Sequence, residues 1–159
     1  MKKVHVYDIA TNAWFAQTTT IEGGIYPSGR IEFCSVVASA EDNSSHNIYI
    51  YGGLNGLSNP KEQDIYILTL PAFHWVPVYT GFGNARRISG HRCHKIHGKH
   101  MVAYRGENFN DTCDGSQEVG KFQGMAIYDM SSLEWTTKVE LDNAKYLVPQ
   151  ALYQIIGGE

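Results

Sequence analysis

Four histidines recur at every third residue, His91, His94, His97 and His100, and three cysteines stand at Cys34, Cys93 and Cys113. Imidazole nitrogens and thiolate sulfurs are the usual ligands of zinc and copper, so metal chemistry would be sought here first. The local pattern speaks against it. His97-Gly98, between Ile96 and Lys99, reads as the two-residue turn of a hairpin with Gly98 at positive φ. Lys95 then faces His100, Cys93 faces Val102 and His91 faces Tyr104, which puts His94 on the opposite face beside Met101. His91 and His100 share a face but stand about 13 Å apart at the strand rise. Only Cys93 and His100, as a diagonal pair, come close. No metal residue and no cofactor are expected.

Other chemistry is equally thin. No two cysteines have the Cys-x-x-Cys spacing, so neither a zinc ribbon nor a thioredoxin-like motif is indicated, and a disulfide would leave one thiol over. Gly-x-Ser-x-Gly, the phosphate-binding loop and His-Glu-x-x-His are all missing. No catalytic residue is expected, and the chain reads as a non-enzyme.

The 159 residues are 43% hydrophobic, 12% aromatic and 18% charged, with a formal net charge of -3. That is enough apolar material to bury a core, which excludes wholesale disorder. The charge leaves no basic footprint, so no nucleic-acid partner is expected. The apolar-leaning stretches 66–79 and 146–158 are interrupted by Pro71, Pro77 and Pro149, so no membrane-spanning helix is expected. Met1-Lys2-Lys3 runs straight into a polar alternation, so no signal peptide is expected. Two glycosylation sequons, Asn43-Ser44-Ser45 and Asn110-Asp111-Thr112, fall in loop-like stretches, close to the number chance supplies.

The elements that would position any function repeat. Val4-His5-Val6-Tyr7-Asp8, Asp64-Ile65-Tyr66-Ile67-Leu68 and Met125-Ala126-Ile127-Tyr128-Asp129 share a skeleton, and each is followed by a tryptophan: Trp14, Trp75 and Trp135. The tyrosines are 59 and 62 residues apart, the tryptophans 61 and 60. A second series interleaves: Tyr51-Gly52-Gly53, Tyr104-Arg105-Gly106 and the Gly157-Gly158 doublet after Tyr153-Gln154-Ile155-Ile156. Arg30 with Cys34-Ser35, and Arg87 with Gly90-His91, precede the first two. Strands are expected at 4–9, 33–39, 47–51, 64–70, 90–96, 100–104 and 124–130, where Val, Ile and Tyr alternate between turn clusters. Ser131–Val139 offers the one weak helix pattern, and the repeat assigns its Trp135 to a strand.

Four short antiparallel strands at a period in the fifties describe a propeller blade. In Gly90-His91, Tyr51-Gly52-Gly53, Tyr7-Asp8, Tyr128-Asp129 and the three tryptophans, the chain resembles kelch-repeat proteins. It is most similar to the kelch-type cell-surface or membrane-anchored proteins of ascomycete fungi. The resemblance implies an all-β, partial kelch-type β-propeller: about two complete four-stranded antiparallel blades plus flanking half-blades. The expected division is a half blade at 1–24, blades at 30–80 and 86–139, and the start of the next blade at 146–159. Superposing the two blades should bring Tyr66 onto Tyr128 and Trp75 onto Trp135. Tyr7, Trp14, Gly52, Gly53, Tyr66, Trp75, His91, Gly106, Tyr128 and Trp135 are read as structural repeat residues. Arg105 replaces a glycine of the second doublet and puts its close backbone approach in doubt.

The resemblance also implies what the molecule does. It points to a non-catalytic scaffold that binds a protein partner through inter-strand loops at 54–63, 81–88 and 107–121. Asn55, Arg86, Arg87, Asn108, Phe109 and Asn110 are the candidate contact residues. A part of a galactose-oxidase-like kelch enzyme, or a truncated product without activity of its own, is the alternative. The resemblance further suggests that Cys93 pairs with Cys113 if a disulfide forms, leaving Cys34 buried and free. With two full blades, open sheet faces carrying Val4, Val6 and Tyr7 should cause self-association or a need for further blades.

Overall fold

In a computed structural model of the chain, residues 1–55, 65–78, 88–108, 125–140 and 145–156 are described. The strands are β1 (Lys3–Asp8), β2 (Ala13–Thr18), β3 (Thr20–Ile21), β4 (Cys34–Ser39), β5 (His46–Tyr51), β6 (Ile65–Leu70) and β7 (His74–Val78). They continue with β8 (Ile88–Ser89), β9 (Arg92–Ile96), β10 (His100–Tyr104), β11 (Glu107–Asn108), β12 (Met125–Asp129) and β13 (Glu134–Thr136). Helix α1 spans Gln150–Ile156, and a short 3-10 turn spans Glu22–Gly24.

Strands β4-β5-β6-β7 form an antiparallel sheet in chain order, with β3 added parallel to the outer edge of β7. Strands β9-β10-β12-β13 form a second antiparallel sheet in chain order, β1 and β2 form a separate hairpin, and β8 pairs with β11. This is an all-β, kelch-like architecture of two four-stranded blades and a half-blade.

The two-residue periodicity decides which side chains meet. In β4, Cys34, Val36 and Ala38 are buried while Ser35 and Val37 between them are exposed. Tyr49, Tyr51, Ile65, Ile67, Val76 and Val78 join that buried face, and it packs on Met101, Ala103, Tyr128 and Met130 of the second blade. The opposite face of the first blade, with Ile50, Tyr66, Leu68 and Trp75, packs on Met1, Val4, Ile21 and Tyr26. Strand β6 is consequently apolar on both sides, as a strand covered twice must be. Each fully buried Tyr, Ile or Met at this seam contributes about 1.5–3 kcal/mol. A buried polar chain reinforces it: the Tyr49 hydroxyl donates to the Met130 carbonyl at 2.8 Å, and the Asn47 amide donates to the Tyr146 hydroxyl at 3.1 Å.

Three expectations need correction. First, Ile96 pairs with His100, so the β9–β10 loop holds three residues, His97 (φ 42°), Gly98 (φ 71°) and Lys99. Lys99 leaves the ladder because Asp129 at 2.9 Å and Glu140 at 2.8 Å hold its ammonium group. A one-residue slip exchanges the two faces. Cys93 now opposes Ala103 rather than Val102, and Lys95 opposes Met101 rather than His100.

Second, Tyr66 does not occupy the place of Tyr128. Tyr128 opposes Trp135 and Tyr7 opposes Trp14, but the residue opposite Trp75 is Leu68, and Tyr66 opposes Pro77. The residue two before each tryptophan, Asn12, Phe73 or Leu133, takes positive φ and anchors the equivalence. Leu68 also restores the 61- and 60-residue spacing shown by the tryptophans.

Third, the segment read as the opening strand of a further blade is helix α1. Pro149 stands at its start, where a missing N–H costs nothing. Leu152, Ile155 and Ile156 recur at the i, i+3, i+4 spacing that turns one helical stripe onto the core. The Gly157-Gly158 doublet lies outside the described residues.

Candidate functional site

The seam between the blades is built from the repeat residues themselves. Gly52 takes φ 65°, and a Cβ there would lie 2.4 Å from the Ile88 carbonyl oxygen and 2.6 Å from Cε1 of His91. Only glycine satisfies both the left-handed backbone and that approach. The Gly53 N–H then donates to the Ile88 carbonyl at 2.9 Å, and the Gly90 N–H to the Glu32 carbonyl at 3.0 Å, so backbone bonds run from blade to blade. Gly106 is likewise crowded, with His91 Cβ, Ile88 Cγ1 and the Ser89 oxygen all 2.7 Å from its would-be Cβ. Arg105, in the place that Gly52 takes in the first blade, keeps the left-handed turn at φ 59° with its side chain exposed, so this position accepts a side chain where Gly52 does not.

His91 sits where these glycines leave room. It is 5% exposed, and its ring centroid lies 5.0 Å from that of Tyr51 in a T-shaped contact. Burial pushes its pKa down to about 4; the Tyr51 backbone pulls the other way, but neither ring nitrogen makes a hydrogen bond of good geometry. Beside it, Cys34 and Cys93 form a disulfide with a Cα–Cα distance of 5.5 Å. The pairing expected with Cys113 is thereby corrected, and Cys34 is buried but not free. The cause is the blade-to-blade contact: β4 and β9 lie side by side at the seam, within the Cα span that a disulfide bridges. Cys113 itself lies outside the described residues. On the other face, the buried Arg30 donates from Nη1 to the Gly52 carbonyl at 3.2 Å and lies 5.2 Å from the Tyr66 ring centroid.

A second region carries the same motif in a different setting. Tyr7 and Trp14 face each other across β1–β2 with ring centroids 5.0 Å apart, yet they are 42% and 69% exposed. Ile9 is exposed in the turn next to them; Val6 and Phe15 are exposed on the opposite face, where Val4 is half-buried against the first blade. Asp8 accepts from the amides of Ala10 and Thr11, as Asp129 accepts from Ser131 and Ser132. For Asp8, bonds from Thr11 and then Ala10 hold the carboxyl below its usual range. For Asp129, burial pushes upward but is outweighed by the Lys99 ammonium and the two amides.

The expected contact loops are only partly described. Asn55 is half-buried next to the Ile31–Leu54 bridge, and Asn108 lies on β11 opposite Ile88. Arg86, Arg87, Phe109 and Asn110 lie outside the described residues, as does the second sequon, whereas Asn43 is exposed in the β4–β5 turn. No helix among the described residues is long and apolar enough to cross a membrane. What sequence reasoning missed is the meeting of Cys34, His91 and Cys93, because no local spacing links β4 to β9. The one available signal was the shared position of both cysteines in the first strand of successive repeats.

No protein-family model matches the chain. Over its whole length it is 28% identical to a kelch repeat-containing protein of Arthroderma benhamiae, of which it covers 26%. The chain thus spans about a quarter of the length of that curated relative. The interleaved motifs, the blades they build and this full-length similarity agree: the chain is kelch-like, with the all-β fold of a partial propeller.

Proposed function

We propose that the chain is a non-catalytic scaffold that binds protein, and that the exposed aromatic face of β1–β2 is part of the surface it uses. The observation that carries this reading is the exposure of Tyr7 and Trp14, opposite one another on one face of the hairpin, with Ile9 exposed in its turn. Tyr and Trp supply large contact area at little conformational cost and dominate the centres of interfaces. In the other two repeats the equivalent pair, Leu68 with Trp75 and Tyr128 with Trp135, packs against neighbouring chain. The favoured occupant is therefore another β-sheet face, from a second copy or a further blade. In this reading the loops at 54–63, 81–88 and 107–121, with Asn55, Arg86, Arg87, Asn108, Phe109 and Asn110, set which protein is accepted.

Light scattering on the purified chain tests the proposal. Species heavier than the 17.8 kDa monomer are expected, with Tyr7→Ser and Trp14→Ser shifting them toward monomer. A monodisperse monomer at every concentration would count against self-recognition by this face. Oxygen consumption with a primary alcohol would overturn the non-catalytic reading in favour of a galactose-oxidase-like enzyme.

A further inference from the structure

The seam gathers three metal-ligating groups that no spacing within one repeat brings together. A sulfur from each of Cys34 and Cys93 and an imidazole nitrogen of His91 all lie within 4.8 Å of one another. Cys34 and His91 are buried, and Cys93 is half-buried, which leaves one side open for entry. His91 and Cys93 are two residues apart and extend from one face of the chain entering β9, while Cys34 opens β4 opposite them. His91 points into this cluster over Gly52, a position where a side chain could not fit. Neither of its ring nitrogens makes a hydrogen bond of good geometry although the residue is only 5% exposed. A buried imidazole so placed costs free energy unless something engages it.

We infer that Cys34, His91 and Cys93 form a redox-gated site for a soft monovalent metal ion, Cu(I), occupied when the disulfide is reduced. Two thiolates and one neutral imidazole make a soft three-donor set, which suits Cu(I). Zinc asks for a fourth ligand in tetrahedral geometry, and the cluster among the described residues holds three. In the oxidised chain the two sulfurs are bonded to each other and neither is a thiolate. Reduction by a phosphine balances as follows: phosphine, disulfide and water give phosphine oxide and two thiols, phosphorus losing the two electrons that the sulfurs gain. Binding one Cu(I) then releases two protons, one from each thiol, and leaves a site of net charge -1. The imidazole ligates through its lone pair and gives up no proton. The site would thus replace one cross-link between the blades by another.

The test reduces the chain anaerobically with a phosphine and titrates it with Cu(I) against the competing chelator bathocuproine disulfonate. Reduced protein should retain one Cu(I) per chain, whereas the oxidised protein should retain none. Cys113→Ser should retain the same amount, and Cys34→Ser should lose it. Removing an outer-shell partner alone costs 10–100-fold in metal affinity, so His91→Gln, which loses a direct ligand, should weaken binding by about tenfold or more. X-ray absorption on the loaded wild-type chain should report two sulfur neighbours and one nitrogen, a readout that needs no variant to fold. Failure of the reduced chain to hold copper, equal retention by Cys34→Ser, or an all-sulfur shell would each overturn the inference.

Discussion

The hairpins β1–β2 and β12–β13 are built alike and end differently. Both set a tyrosine opposite a tryptophan, both close with an aspartate accepting two amides, and both place a left-handed residue two positions before the tryptophan. Yet Tyr128 is fully buried, while Tyr7 and Trp14 are 42% and 69% exposed. The local sequence is therefore sufficient for the hairpin and says little about its burial. Burial comes from what lies alongside: Tyr51 stands 5.0 Å from Trp135, and Tyr49 stands 6.5 Å from Tyr128. No such neighbour covers Tyr7 and Trp14 among the described residues.

The sharpest way to break this comparison is to delete the tryptophans one at a time. Trp75, 3% exposed and donating from Nε1 to the Met1 carbonyl at 3.1 Å, should cost about 3–5 kcal/mol as Trp75→Ala. Trp14→Ala should change stability by about 0.5 kcal/mol or less in dilute monomer. Urea unfolding measures both, and equal losses would mean that β1–β2 is packed as firmly as the blades.

The seam itself can be probed at Gly52. Gly52→Ala forces a methyl against the Ile88 carbonyl and His91 at a left-handed residue, and should cost about 3 kcal/mol. Gly24 is the control: its φ of 74° is as unfavourable, but nothing lies within 4 Å of its Cβ position. Gly24→Ala should cost about 1 kcal/mol. The difference isolates the close approach from the backbone conformation.

A smaller effect should appear with pH. The folded pKa of His91, about 4, lies below its ordinary 6.5, so on acidification the unfolded chain takes up the proton first. The stability tied to this group is whole above about pH 6.5 and is lost progressively toward pH 4, by up to about 3 kcal/mol. Denaturant midpoints between pH 6.5 and 5, above the carboxylate range, should fall for the wild type and flatten for His91→Gln. A wild-type slope as flat as the variant's would mean that the imidazole takes up its proton equally in folded and unfolded chain.

Much of this architecture was legible because strands declare themselves by two-residue alternation. The expected segments at 33–39, 47–51 and 100–104 match β4, β5 and β10 within a residue. Registers were less legible. Tyr66 stands two residues from the position its type suggested, because Leu68 fills the slot opposite Trp75 and apolar bulk is all that slot requires. Segment 150–156 satisfies both the strand and the helix period, and only its neighbours decide between them. The Cys34–Cys93 bond spans 59 residues and joins two blades, so nothing local announced it.

In this repeat the tryptophan and the Tyr or Leu opposite it are buried by an adjoining sheet, and in the proposed function β1–β2 receives one from a second copy. Amide hydrogen exchange followed by mass spectrometry, over a range of protein concentration, tests it directly. In dilute solution β1–β2 should exchange far faster than β5, β6 and β10, and its protection should rise as concentration brings a second copy onto the exposed face. Protection of β1–β2 that equals that of the blades and does not change with concentration would contradict the account.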